Sequence, residues 1–261
     1  MTMTILATSL FGLSLFGGFC SGLLGVGGAV VLIPLLLSVP PLLGVEPLTM
    51  HAVAGITMIQ VLVSSATAGL THRRGGATHF PAILAIGIPM GVMSFAGAAL
   101  SRHVPGIALE AAFGVVTGVA FALLLKPSPG EDGAESAFAF NRAAGAASGG
   151  VVGFISGMVG AGGGFVLVPV MTRLLKFPIK LAVGSSLGIV FIGALMGSLG
   201  KILSFQVAWA HLLPVVAGSI PASILGAHVS RRLPAHVLRR ILLGLVFAIF
   251  LKTAWSVAVQ I

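Results

Sequence analysis

The sequence predicts an all-α polytopic membrane protein made of two inverted-topology repeats. Each repeat is a glycine-broken segment followed by three transmembrane helices. Three observations carry this expectation: apolar runs recur along the whole chain, one glycine cluster occurs twice, and the basic residues divide unevenly once the runs are threaded through a bilayer. Of the 261 residues 57% are hydrophobic and only 7% charged, with a mean hydropathy of +1.15. A soluble domain carries about 25% charged residues, so water is not the surrounding of most of this surface.

In chain order the apolar runs are 5–37, 51–71, 80–100, 106–125, 143–175, 181–200, 207–230 and 237–258. Each is long enough for a hydrocarbon core of roughly 30 Å, which takes about 20 helical residues. Residues 1–21 hold no Lys or Arg, so the first run lacks the basic start of a secretory signal and reads as retained membrane structure. Lys126–Arg142 (KPSPGEDGAESAFAFNR) is the one strongly polar stretch. It divides the chain into a first repeat, 1–125, a linker, 126–142, and a second repeat, 143–261.

The duplication is explicit in the residues. Gly18–Pro34 (GFCSGLLGVGGAVVLIP) and Gly153–Pro169 (GFISGMVGAGGGFVLVP) share ten of seventeen positions at an offset of 135. GAALSRHVP at 97–105 matches GAHVSRRLP at 226–234 at an offset of 129, and Gly55-Ile56-Thr57 falls on Gly184-Ser185-Ser186 at the same offset. The six extra residues of the first half lie in the Pro-rich stretch 38–47.

Charge decides how the long runs cross. If 5–37 and 143–175 each cross once, the basic residues split eight to six. If each turns back to its own face, the split is eleven (Arg73, Arg74, Lys126, Arg142, Arg173, Lys176, Lys180, Arg231, Arg232, Arg239 and Arg240) against three (Arg102, Lys201 and Lys252). The positive-inside rule favours the second arrangement. It makes the halves inverted copies and puts the linker on the cytoplasmic side. Six spans with two re-entrant hairpins and ten shorter spans both satisfy this charge partition.

A run that turns back needs a break, and Gly-x-Gly-Gly supplies one. Irregular backbone is tolerated in a membrane only where it is buried in protein or lines a cavity. In inverted repeats such breaks usually build the substrate site near the midplane, and freed N–H groups beside a helix N-terminus favour an anion. The residues expected to bind substrate are therefore Gly25, Gly27, Gly28, Gly160, Gly162 and Gly163. To these we add the hydroxyls of Ser21, Ser156, Thr57, Ser185 and Ser186, and the Gln60 amide. The competing reading is structural. Glycines allow close helix approach, above all in Gly18-x-x-x-Gly22 and Gly153-x-x-x-Gly157, and intramembrane hydroxyls often bond backbone carbonyls.

The twice-occurring S-G-x-x-G-x-G-G…P cluster resembles the TauE/SafE sulfite exporter family. So do the A-V-G-S-S stretch at 182–186 and the repeated G-A-x-x-S-R-x-x-P. The likeness spans nearly the whole chain. It implies a bacterial inner-membrane carrier for sulfite, organosulfonates or related sulfur oxyanions, without a cofactor. Ala29 replaces a glycine of the family motif in the first half, whereas Gly164 keeps it in the second. The family's Gly-Thr-Ser is Gly-Ile-Thr at 55–57 and Gly-Ser-Ser at 184–186.

Other residue classes narrow the chemistry. All five carboxylates (Glu46, Glu110, Glu131, Asp132 and Glu135) fall outside the centres of the runs. Carboxylate relays are a usual means of proton coupling, while an anion leaving a negative interior gains about 2.3 kcal/mol per 100 mV. Export by alternating access is thus expected, with an anion channel or a non-transporting accessory subunit as alternatives. Of seven histidines most lie at run ends, and His211 is the candidate for proton coupling. Lys252 is expected to reach the outer interface. The single Cys20 forms no internal disulfide and no metal set is expected. Partners are the bilayer and a small anion, not nucleic acid, and assembly into homo-oligomers stays open.

Overall fold

The computed structural model describes residues 2–44, 46–73, 78–125 and 140–260, so most of the linker, 126–139, lies outside the described residues. The described residues form ten α-helices: α1 Thr2–Leu24, α2 Ala29–Leu42, α3 Met50–Arg73, α4 Phe80–Leu100, α5 Gly106–Leu125, α6 Arg142–Val159, α7 Gly164–Arg173, α8 Ile179–Leu203, α9 Leu212–Arg232 and α10 Ala235–Gln260. Each run predicted from sequence is helical, and the two long ones are each two helices separated by the glycines. Among the described residues six helical stretches are long and apolar enough to cross a membrane: 6–24, 50–72, 80–103, 106–125, 179–203 and 209–232. The helix α6 carries five glycines in eighteen residues.

Local chemistry sets several boundaries. Asn141 caps α6, its Oδ1 accepting from the N–H groups of Ala143 and Ala144 at 3.0 and 3.1 Å. His79 does the same for α4, its ring nitrogen accepting from Ala82 N–H at 3.2 Å. At the glycine clusters the chain doubles back. Gly28 and Leu32 come to lie against Gly17, and Gly163 lies against Val152 and Ser156 of α6. Each long run is therefore a helical hairpin.

Glycine dictates which helices pair. On α6, Gly149, Gly153 and Gly157 meet the backbone of Ile86, Met90 and Ser94 on α4. On α1, Gly18 and Gly22 meet the backbone of Ser219 and Ser223 on α9. These are corresponding contacts, since 90 and 94 become 219 and 223 at the offset of 129, and 18 and 22 become 153 and 157 at 135. The reciprocal approach also recurs, Gly97 on Phe154 O and Gly226 on Phe19 O. The broken helix of each half thus packs against a helix of the other. Small residues let the backbones close in, where van der Waals contact replaces a hydrophobic drive that lipid cannot supply.

The remaining equivalent helices pair with each other. Gly114 and Gly118 of α5 face Thr253 and Phe250 of α10, while Gly69 of α3 faces Leu187 of α8 and Met58 faces Gly197. Rising numbers on one helix meet falling numbers on the other, so both pairs run antiparallel.

A methyl group at Gly22 or Gly157 would overlap backbone atoms of the facing helix, whereas one at Gly12 meets nothing within 4 Å. We expect Gly22→Ala and Gly157→Ala each to destabilise the protein by about 1–3 kcal/mol. Gly12→Ala should be neutral or stabilising by up to about 1 kcal/mol. Unfolding in detergent measures all three.

Candidate functional site at two glycine breaks

The six glycines of the paired clusters share one property: Gly25, Gly27, Gly28, Gly160, Gly162 and Gly163 all have φ between +64° and +83°. A side chain there costs roughly 1–2 kcal/mol per residue, so backbone conformation requires glycine at these sites independently of packing. Gly160 caps the end of α6, its N–H donating to Ser156 O at 2.8 Å. Gly28 and Gly163 precede the first turns of α2 and α7. Among the described residues no acceptor meets the N–H groups of Ala29 and Val30, or of Gly164 and Phe165. Two helix N-termini with free donors therefore lie inside the protein, in residues that are buried throughout.

The two breaks adjoin. Val61 of α3 packs against the position of a Cβ at both Gly27 and Gly162, and Val190, its match on α8, packs against Gly27 at 3.5 Å. Each break is pinned by a hydroxyl from the other half. Thr57 Oγ1 donates to Gly160 O at 2.9 Å, and Ser186 Oγ lies 3.0 Å from Gly25 O. Thr57 and Ser186 are equivalent residues, as are Gly160 and Gly25. Both hydroxyls also bond carbonyls of their own helices.

The other candidates separate. Ser21 Oγ donates to Ser64 Oγ at 3.0 Å, and Ser156 Oγ donates to Gly153 O of its own helix at 3.1 Å beside Gly163. Gln60 is fully buried, and its amide nitrogen stands 3.0 Å from a Cβ placed at Gly28. Ser185 lies away from the breaks, accepting from His79 N–H at 2.8 Å. Cys20 is buried, and no group of three metal-binding side chains occurs among the described residues. An apolar groove of about 550 Å³ runs between α5, α6 and α7 and ends at Gly163.

Three basic residues bond inside the protein rather than at its surface. Lys201, counted above on the less positive face, is fully buried. Its Nζ donates to Ser101 Oγ at 2.7 Å, Met158 O at 3.0 Å and Gln206 Oε1 at 3.0 Å. The C-terminal ends of α4, α6 and α8 converge there, and Nζ serves one orphan carbonyl directly, Met158 O near the end of α6. Its equivalent is His72, buried rather than interfacial, whose Nε2 lies 3.2 Å from Gly22 O near the end of α1. A basic residue in the last turn of an apolar helix was the available signal, although helix-end anchoring predicts the same residue types. Lys252 also turns inward, Nζ donating to Pro34 O of α2 at 2.9 Å. His211 sits in a short 3-10 turn before α9, half-buried.

A multi-pass helical bundle with two buried helix breaks at its centre belongs to the architecture of membrane transporters. The family model described as "Sulfite exporter TauE/SafE" matches residues 10–253, and the chain belongs to this family of membrane transporters. Among relatives, it is 26% identical to the probable membrane transporter protein YunE of Bacillus subtilis, over 85% of this chain and 87% of that one. It is 28% identical to a probable membrane transporter protein of Xylella fastidiosa, over 91% of both chains. A third similarity, 27% over 73% of this chain and 69% of the relative, is to the probable membrane transporter protein MJ0441 of Methanocaldococcus jannaschii. No solved structure matches the chain.

Replacing Lys201 by Met would strip a donor from Gln206 Oε1, Ser101 Oγ and Met158 O together. We expect Lys201→Met to cost about 2–4 kcal/mol, read as a lowered unfolding midpoint in detergent. Replacing the exposed Arg102, which bonds only His103 among the described residues, should change stability by less than about 0.5 kcal/mol.

Proposed function

We propose that the protein exports small sulfur oxyanions, sulfite or sulfonates, across the bacterial inner membrane by alternating access at the two glycine breaks. The observation that carries this reading is the meeting of both breaks around Val61, with free N–H donors at two buried helix starts. Such donors favour an anion, and burial strengthens each interaction by excluding water. Membership in a family of sulfite exporters supports sulfite as the anion.

The repeats are read as inverted copies, 1–125 and 143–261, joined by a cytoplasmic linker at 126–142. Antiparallel pairing of the equivalent helices α3 with α8 and α5 with α10 supports inversion. So does charge: with Lys201 buried and Lys252 turned inward, Arg102 alone remains of the three basic residues on the less positive face. Because each half holds the other's break through Thr57 or Ser186, movement of one half against the other would exchange these pins and expose the breaks to one side at a time. Closure of the breaks within protein favours a carrier over an open pore.

The test is sulfite efflux from proteoliposomes under an imposed potential, with counterflow. Wild type should give saturable flux that exchanges labelled sulfite against an excess outside. Gly27→Val and Gly162→Val, which must both displace Val61, should cut the flux at least about tenfold, that is by at least about 1.4 kcal/mol in the barrier. Flux without counterflow would make the protein a channel. Wild-type flux in folded valine variants would remove the glycines from the pathway, and no flux in folded wild type would remove sulfite.

A further inference from the structure

The two breaks agree in backbone but differ in what faces them. Gln60 corresponds to Ile189 and Ser64 to Gly193 at the offset of 129. Around the first break stand Gln60, Ser21 and Ser64. Around the second, a Cβ at Gly163 would meet Met90 Cε at 2.8 Å and Val152 Cγ1 at 2.9 Å, with Ser156 already bonded within its own helix. The second break also adjoins the apolar groove.

Gln60 is the outlying feature. It is 0% exposed, and neither Oε1 nor Nε2 has a hydrogen-bond partner. A buried unpartnered polar group costs about 1–3 kcal/mol, and this one stands beside Gly28, at the start of a 14-residue helix whose first amides have no acceptor. Resting on the transport reading above, we propose that the protein has one anion site, at the first break, and that it selects a singly charged oxyanion carrying a proton, of the hydrogensulfite class.

The chemistry follows from the amide. One end of Gln60 donates and the other accepts, whichever way the group is turned. A fully deprotonated oxyanion offers acceptors only and would face the carbonyl end with its own lone pairs. A protonated oxyanion satisfies both ends: its charged oxygens accept from the amide and from the N–H groups of Ala29 and Val30, and its O–H donates to the carbonyl. Charge number points the same way. Lys201 and His72 are the buried basic side chains among the described residues, and each is engaged on a helix-end carbonyl. A dianion would thus be buried against dipoles alone, which is costly; a monoanion asks for half that compensation.

Binding to the purified full-length protein in detergent tests this, by calorimetry with sulfite and with methanesulfonate at about pH 6 and about pH 8. Sulfite changes from mostly hydrogensulfite to mostly dianion between these values, while methanesulfonate is a monoanion without an O–H at both. The titratable groups on the helices around the site are Cys20 on α1, His51, His72 and Arg73 on α3, and Lys180 and Lys201 on α8; the described residues of α2 hold none. Methanesulfonate reports any effect of these groups. We expect one sulfite per protomer, bound about five- to tenfold more weakly at the higher pH, and methanesulfonate at least about tenfold weaker than sulfite at the lower pH and insensitive to pH.

Gln60→Met should reduce sulfite to the methanesulfonate level while raising the unfolding midpoint of the ligand-free protein, because it removes an unpartnered amide. Gln60→Leu serves as the second variant. Two sulfites per protomer, equal sulfite affinity at both pH values, or unchanged binding in both Gln60 variants would overturn the proposal. Methanesulfonate bound as tightly as sulfite would overturn the proton requirement and leave transport of sulfur oxyanions standing. No binding of either anion by folded protein would overturn the transport reading and this site with it.

Discussion

Backbone that leaves the helix inside a membrane must find its partners within the protein, and this structure is organised around that requirement. Six glycines in left-handed conformation turn two helices back on themselves, and lipid could not solvate the peptide groups so released. Burial of both breaks between α3 and α8 answers the need for shielding. Thr57 and Ser186 bond the released carbonyls across the halves, and His72 and Lys201 serve the carbonyls near the ends of α1 and α6. The carbonyl side is thus largely satisfied by protein. The N–H side, at Ala29 and Val30 above all, is where a ligand has something to gain.

The pairing of helices follows from the same constraint. A break can be enclosed only if neighbouring backbones come very close, and glycine at every fourth position of α6 permits that against α4. Exchange of the broken helices between halves then ties each break to a helix of the other repeat. In the proposed mechanism, movement of one half would be felt at the other half's break through Thr57 or Ser186.

Much of this was legible in the sequence. The offsets of 135 and 129 located the breaks, the equivalent helices and the pairing of Thr57 with Ser186, since identical residues at constant spacing survive without knowledge of contacts. Periodicity and hydropathy gave the runs to within a few residues. Gly18 and Gly22 were readable as packing glycines because their i, i+4 spacing has one geometric use. The left-handed φ of the six glycines was harder to separate from close packing, as both select the same residue. The burial of Lys201 was not legible for a specific reason: a basic residue near a helix end suits an interface and a buried helix C-terminus equally, and only the convergence of three C-termini decides. The asymmetry at Gln60 was visible as an unmatched residue, yet its lack of a partner is a property of three-dimensional packing.

In the proposed site the first break, and not the second, offers its amides to the anion. Hydrogen exchange of the protein in nanodiscs, with and without saturating sulfite, addresses that directly. Exchange at Ala29 and Val30 should slow when sulfite is present, with exchange at Gly164 and Phe165 unchanged. Protection at Gly164 and Phe165 alone, or at neither break while sulfite is bound elsewhere, would contradict it.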